Sequence, residues 1–213
     1  MISSTVISLC VLAYVLGSIP SAVWIGKAFY GVDVREHGSN NAGATNTFRV
    51  LGKTAGSIVL FMDAFKGATA ANLAYFVAQP QSGTDEFINF QIVFGLFAVL
   101  GHLFPVFANF KGGKGIATLL GMVIAINWLL ALTCVGLFLI ILLLTRYVSL
   151  GSMISTICFP FFAVYLFHKD EPLLIGFGIA MAFLVVFTHK KNIYKLLQGE
   201  ENKANIFKKK SQN

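Results

Sequence analysis

Long apolar runs separated by short charged segments restrict the fold of this chain more than any other feature. A membrane-spanning helix needs roughly 20 apolar residues to cross ~30 Å of hydrocarbon. Runs that approach or exceed this length cover residues 2–25, 54–79, 87–108, 116–145, 149–167 and 172–188. Only 12% of the 213 residues are charged and the mean hydropathy is +0.76, whereas soluble domains carry about 25% charged residues. We therefore predict an all-α integral membrane protein with one domain over residues 1–213.

The basic residues are concentrated in three segments outside these runs. They are Lys27, Arg35, Arg49 and Lys53 after the first run; Lys111 and Lys114 at 109–115; and Lys190, Lys191, Lys195, Lys203, Lys208, Lys209 and Lys210 in the tail. Cytoplasmic loops are enriched in Lys and Arg. The 80–86 segment instead has Asp85 and Glu86 without a basic residue. The three basic segments are therefore predicted to be cytoplasmic, with 80–86 outside.

The run at 116–145 must return to the side on which it starts. If it crossed once, the two later helices would leave the Lys-rich tail outside. Thirty residues would form a helix of ~45 Å, which is long for one span. We predict two short or re-entrant helices that break near Asn127. With them the chain has seven helical membrane segments, an N-terminus outside and a C-terminus inside. The first run lacks the features of a cleaved signal peptide and is expected to remain as a span.

Residues 31–53 form a polar segment that is longer than an ordinary connector. Its glycines permit backbone angles at which successive amides converge on an anion. Arg35 and Arg49 could add bidentate contacts to a phosphate. The uncharged candidate donors are Ser39, Asn41, Thr45 and Asn46. A flexible, solvated loop explains the composition equally well.

The second polar segment ends in the sequence KGGKG, where one apolar run stops and the next begins. Its members are Lys111, Gly112, Gly113, Lys114 and Gly115. Unblocked amides, two lysines and the N-terminus of a following helix together favour anion binding. The pattern GxxxxGK[ST] of a nucleotide P-loop is absent. The positive-inside rule alone would explain the lysines but not the three glycines.

The third polar segment follows the last apolar run and contains His189 and Asn192, which would share a face if helical. His189 lies at the membrane boundary, where it could meet the other segments. A lone histidine is more often structural than catalytic.

Three polar residues lie inside or at the end of apolar runs. Asp63 and Lys66 stand at i and i+3, and burying either one alone would be costly. They are expected to pair or to line the site. For His102 the sequence favours neither a structural nor a functional role over the other.

Several chemistries are excluded by the residues present. No GxSxG elbow occurs, and Cys10, Cys134 and Cys158 all lie in apolar runs, which argues against covalent catalysis. No histidine is followed five residues later by Asp, so the HxxxxD arrangement of many acyltransferases is missing. No cluster suits a metal ion, and no cofactor is expected.

The three polar segments together resemble the bacterial acyl-phosphate:glycerol-3-phosphate acyltransferase family over essentially the whole chain. The motif GHxxPxFxxFKGGKG is unbroken from Gly101 to Gly115. The other two motifs are represented by Gly38, Ser39, Asn41, Gly43, Thr45, Asn46 and Arg49, and by His189, Asn192, Ile193, Leu196, Gly199 and Glu201. The chain departs from the pattern at Asn40, Thr188 and Lys195, where the family often has Gly, Arg and Arg.

This resemblance implies acyl transfer from an acyl phosphate to the 1-position of glycerol 3-phosphate, giving lysophosphatidic acid in phospholipid synthesis. It also implies seven helical segments in the bacterial cytoplasmic membrane. The partners expected are these two substrates and membrane lipid, without nucleic acid; the oligomeric state is left open.

Phosphate binding is the predicted role of most of the motif residues. Lys111, Lys114 and the glycine amides are expected to hold a phosphate, and the first segment is expected to close over it. His189 or a substrate phosphate oxygen could take the hydroxyl proton.

Two other functions are compatible with parts of the pattern. A transporter of a phosphorylated solute could use broken helices and glycine turns, although no inverted repeat is evident. A structural membrane subunit would not require these loops.

Overall fold

The computed structural model describes residues 4–77 and 81–204, and every regular element within them is a helix. The α-helices are α1 Ser4–Gly17, α2 Ser21–Tyr30, α3 Ala44–Leu51, α4 Lys53–Ala71, α5 Asp85–Leu103, α6 Ile116–Ile126, α7 Trp128–Thr145, α8 Val148–Phe161, α9 Pro172–Thr188 and α10 Lys190–Leu197. Residues 2–3 and 78–80, together with Lys208, Lys209 and Lys210, belong to the predictions above but lie outside the described residues.

Long apolar helices confirm the membrane class of the fold. Within the described ranges, four stretches are long and apolar enough to cross a bilayer, or five if the bent pair α9 and α10 forms one span. The four are Ser4–Tyr30, Asp85–Ala108, Trp128–Thr145 and Val148–Leu166. The predicted count of seven segments therefore stays a prediction.

The first apolar run divides into α1 and α2 around Pro20. The carbonyl of Ile19, which lies in the break, accepts a hydrogen bond of 2.8 Å from the Lys66 Nζ atom. Broken backbone inside a membrane protein must be satisfied by neighbouring protein groups. Lys66 therefore stabilises an interruption of the helix that the apolar pattern did not predict.

The predicted break at Asn127 is confirmed, and the side chain explains it. Asn127 ends α6, and its Oδ1 atom accepts a 3.0 Å hydrogen bond from the Leu130 amide to cap α7. The two helices are unequal, since α6 has 11 residues and α7 has 18. The prediction was two short or re-entrant helices; α6 is short, whereas α7 is long and apolar enough to be a candidate span.

Small residues let α4 and α6 pack with their backbones almost in contact. A Cβ atom on Gly121 would lie 1.7 Å from the Ala64 carbonyl oxygen, and one on Gly67 would lie 2.0 Å from that of Thr118. Close approach at small residues is a usual way for helices to associate in membranes. This contact fixes the start of α6, where the KGGKG turn ends, against α4.

Candidate active site

The KGGKG turn folds back onto the end of α5. The Gly112 amide donates to the Leu103 carbonyl and the Gly113 amide to the His102 carbonyl, both at 3.2 Å. The prediction that these two amides point at a ligand is therefore wrong, because both are used within the turn.

Close packing explains why these two positions are glycine. A Cβ atom on Gly112 would lie 1.9 Å from the His102 carbonyl oxygen, and one on Gly113 would lie 2.2 Å from the His102 Nε2 atom. His102 thus supports the turn through both its backbone and its ring.

The last residue of the turn, Gly115, has a different role. Its φ of +84° lies in the left-handed region that favours glycine. It directly precedes α6, and its amide has no hydrogen-bond partner in the part of the chain that the structure describes. Of the three glycine amides, this one remains able to bind an anion.

Lys114 connects the second polar segment with the third. Its Nζ atom donates to Asn192 Oδ1. The Asn192 amide nitrogen in turn donates to Glu201 Oε1 at 2.7 Å, and the Ser149 hydroxyl donates to the same oxygen at 2.8 Å. Glu201 and Ser149 therefore orient the Asn192 amide so that its oxygen faces Lys114.

Cationic side chains from all three segments converge at Lys114. Burial lowers the pKa of Lys114 to about 8; Glu201 opposes this shift, whereas the charges of Arg49 and Lys195 add to it. Arg49, on α3, is exposed and forms no ion pair within residues 4–77 and 81–204. Lys114, Arg49 and Lys195 form what we call the cationic cluster. Repelling charges of this kind favour a bound anion.

His189 is buried beside this cluster. Its Nδ1 atom lies 2.8 Å from the Val185 carbonyl oxygen, so this nitrogen carries the proton and Nε2 keeps its lone pair. Burial, together with the charge of Lys114, lowers the pKa of His189 to about 4. The imidazole is therefore neutral at pH 7 and can accept a hydrogen bond.

Asn46 is a structural residue of the first segment. It is only 1% exposed. Its Oδ1 accepts from the Ser39 amide at 2.8 Å, and its Nδ2 donates to the carbonyls of Val34 and His37 at 2.7 and 3.0 Å. Both polar atoms therefore hold the loop together in this structure, and the substrate contact of Asn46 stays a prediction.

Arg35 is also used within the protein. Its guanidinium binds both oxygens of Asp33, at 3.0 and 2.7 Å, and donates to the Ala108 carbonyl at 3.0 Å. Hydrogen bonds from Arg35 hold the pKa of the Asp33 carboxyl well below its usual range. The predicted phosphate contact of Arg35 is replaced by a link between the first and second segments.

The remaining predicted donors are more accessible. Ser39, Thr45 and Lys111 are exposed and Asn41 is half-buried. The side chains of these four residues have no hydrogen-bond partner among the described residues. They remain available to a ligand.

A buried polar cluster lies behind the glycine turn. Asp63 Oδ1 is 2.8 Å from Lys66 Nζ, so the predicted pairing is present, and it accepts a 2.9 Å bond from the Ser21 hydroxyl. His102 Nδ1 lies 3.6 Å from the same oxygen. These residues border a cavity of about 10 Å³ that also touches Gly112 and Gly113, roughly the space of one water molecule.

The sequence reasoning missed four residues that complete these contacts. Lys195 was counted among the basic residues of the tail and as a departure from the family pattern, but no role in the site was predicted for it; the other three stand outside the motifs. The four are Ser21, Asp33, Ser149 and Lys195. Only Asp33 had a visible signal, since it stands two residues before Arg35.

Known proteins resemble this chain over nearly its whole length. The sequence matches the family described as glycerol-3-phosphate acyltransferase over residues 7–199. The chain belongs to the glycerol-3-phosphate acyltransferase family. It is therefore an acyltransferase, as the sequence predicted, and the transporter alternative loses its support.

Curated members of this glycerol-3-phosphate acyltransferase family are closely similar. One from Listeria monocytogenes serovar 1/2a is 45% identical over 197 residues, which are 92% of this chain and 96% of the relative. One from Fusobacterium nucleatum subsp. nucleatum is 43% identical over 199 residues, with 91% and 95% covered.

A solved structure gives the same fold. The crystal structure of PlsY (YgiH), an integral membrane glycerol 3-phosphate acyltransferase, in its glycerol 3-phosphate form matches with a TM-score of 0.85 and 38% identity, covering 95% of this chain and 96% of that one. Its lysophosphatidic acid form gives a TM-score of 0.81. The acyltransferase is thus an integral membrane protein, as its apolar runs predicted.

Proposed function

We propose that the protein transfers a fatty acyl group from an acyl phosphate to the 1-position hydroxyl of glycerol 3-phosphate. The products would be lysophosphatidic acid and inorganic phosphate, an early step of phospholipid synthesis. The observation that carries this proposal is the cationic cluster of Lys114, Arg49 and Lys195, in which three separate segments present positive charge to one place. Both substrates are phosphates, so an anion-binding site suits both.

Membrane placement supports a lipid-linked donor. The cluster lies beside the ends of apolar helices, so an acyl tail could stay in the bilayer while a water-soluble acceptor enters from the cytoplasm. The basic segments favour a cytoplasmic active site and C-terminus, an outward N-terminus and location in the bacterial inner membrane. The groups that would contact phosphate are Lys114, Arg49, Gly115, Ser39, Asn41, Thr45 and Lys111.

The chemistry requires one bond to form and one to break. The acceptor hydroxyl oxygen attacks the acyl carbonyl carbon, and the bond from that carbon to the phosphate oxygen breaks. The phosphate leaves with the bonding electron pair, and neutralisation by the cationic cluster favours its departure. The hydroxyl proton goes to His189 Nε2 or to a phosphate oxygen.

The structure favours an orienting role for His189. A neutral ring with the proton on Nδ1 can accept a hydrogen bond from the attacking hydroxyl at Nε2. A group whose pKa is about 4 is a weak base at neutral pH. We therefore propose that a substrate phosphate oxygen takes the proton while His189 aligns the hydroxyl.

Donor identity is tested by an assay with the purified protein. Glycerol 3-phosphate is supplied with either palmitoyl phosphate or palmitoyl-CoA, and lysophosphatidic acid is measured by mass spectrometry. We expect product from palmitoyl phosphate only, with the acyl group on the 1-position hydroxyl. Product from the CoA ester but not from the acyl phosphate would overturn the donor assignment.

His189 is tested in the same assay with the variants His189→Gln and His189→Ala. Glutamine can still accept a hydrogen bond but cannot act as a base, so the orienting role predicts that His189→Gln keeps more turnover than His189→Ala. For His189→Ala we expect kcat to fall by about 10²-fold or more. Near wild-type kcat for His189→Ala would remove His189 from the mechanism, and equal loss in both variants would favour the protein base.

A further inference from the structure

Helix α10 leaves the direction of the preceding span at the level of the active site. Its axis is bent by 61° from that of α9. Ile193 and Leu196 pack against the main apolar core, and Asn192, on the same side, binds Lys114. One face of this helix therefore belongs to the active site and the core.

The opposite face of α10 continues the lipid-facing stripe of α9. Phe183 and Phe187 on α9 are 74% and 66% exposed, and Tyr194 and Leu197 on α10 are 64% and 79% exposed. Lys190, Tyr194 and Leu197 follow each other at intervals of four and three, so they share one face of α10. The Lys190 Nζ atom lies over the Phe187 ring, so this face adjoins the exposed side of α9. The apolar surface thus runs from the span directly onto the outer face of α10.

Basic side chains flank this apolar stripe. Lys190 and Lys191 are exposed, and neither forms an ion pair with a carboxylate within residues 4–77 and 81–204. The Lys190 Nζ atom lies 4.9 Å from the centre of the Phe187 ring. An apolar stripe with an aromatic residue and flanking lysines is typical of helices that lie in the headgroup region.

We propose that the outer face of α10, formed by Lys190, Lys191, Tyr194 and Leu197, binds an anionic phospholipid. Tyr194 and Leu197 enter the acyl boundary, and the two lysines bind the negative headgroup. Since Asn192 lies on the other face of the same two-turn helix, this lipid contact holds Asn192 against Lys114. An acyltransferase that initiates lipid synthesis would thereby respond to the charge of its own membrane.

Lipid binding is measured with the full chain in nanodiscs. A single tryptophan is placed at position 194 by Tyr194→Trp, with Trp24→Phe and Trp128→Phe. Quenching by brominated phosphatidylglycerol is compared with quenching by brominated phosphatidylcholine. We expect stronger quenching by the anionic lipid, and a loss of about fivefold in its apparent affinity for each lysine removed in Lys190→Gln and Lys191→Gln.

Lys169 provides the matched control, because it is an exposed lysine in the loop between α8 and α9. Lys169→Gln is expected to leave the preference for phosphatidylglycerol unchanged. Equal quenching by both lipids in the parent protein, or an unchanged preference in the double lysine variant, would overturn the proposal. Native mass spectrometry of the chain with its natural tryptophans gives an independent measurement, the number of phosphatidylglycerol molecules that stay bound.

The link to catalysis is tested in the same nanodiscs and rests on the proposed function. We expect the KM for glycerol 3-phosphate in the double lysine variant to rise to the value that wild type shows in phosphatidylcholine alone. An unchanged KM would remove the coupling to Asn192. If wild type forms no lysophosphatidic acid from palmitoyl phosphate, the proposed function fails, while the quenching result still decides the lipid contact.

Discussion

At the scale of single residues, the motifs located the site, but packing decides which atoms are free to act. Asn46 and Arg35 have the residue types that bind phosphate, yet their polar atoms bind the loop backbone and Asp33. Lys114, Arg49 and His189 keep the availability expected from the sequence. Partners such as the Val34 carbonyl become known only when the loop is folded, so sequence could not separate these two groups.

Asn46→Ala tests the structural role of Asn46. The change removes three hydrogen bonds and leaves the carbonyls of Val34 and His37 without this donor, which we expect to cost about 1–3 kcal/mol. The melting temperature in detergent should fall. Asn41→Ala is the control and should melt like wild type. A raised KM in Asn46→Ala with an unchanged melting temperature would instead identify Asn46 as a ligand.

At the scale of helices and turns, the sequence predicted the apolar runs and the break at Asn127. It did not predict where every helix begins and ends. The 31–53 segment, considered a loop, contains the two-turn helix α3 that presents Arg49. The interruption between α1 and α2 was missed because its stabilising contact comes from Lys66, far along the chain. A local sequence pattern can predict a cap such as Asn127. An interruption that is stabilised by a residue of another helix can be recognised only when the folded structure is known.

The glycine turn provides the test at this scale. Gly113→Ala would place a methyl group 2.2 Å from His102 Nε2 and 3.1 Å from the Ala42 carbonyl oxygen. We expect lower thermal stability and reduced acyl transfer, since the shifted turn carries Lys114. Gly136→Ala, in α7, is the control because nothing lies within 4 Å of its added methyl group. Equal stability and activity in both variants would contradict the close packing inferred for the turn.

At the scale of the whole molecule, three polar segments that are distant in sequence come together around Lys114. Charge distribution predicted that these segments share one side. The hydrogen bond of Lys114 to Asn192, and the influence of the Arg49 and Lys195 charges on the Lys114 pKa, agree with this. The number of membrane spans follows less directly from the sequence than the shared side of the three segments does. The bent pair α9 and α10 leaves the count open, because it adds a span only if the two helices cross the membrane as one.

The central claim is that this meeting point is the phosphate site, and the pH dependence of KM tests it most directly. Lys114, with a pKa of about 8, is charged below that pH and loses its proton above it. Phosphate binding should therefore weaken as the pH rises, by up to about tenfold per pH unit.

The measurement is KM for glycerol 3-phosphate and for palmitoyl phosphate against pH, in wild type, Lys114→Gln and the control Lys53→Gln. Lys114 faces Glu201, Arg49 and Lys195, and the comparison with Lys114→Gln isolates its own titration from theirs. We predict that KM for at least one substrate rises in wild type above a pH of about 8. In Lys114→Gln that KM should be about tenfold higher near neutral pH and lack the rise. Wild-type KM values for both substrates in Lys114→Gln would contradict the account.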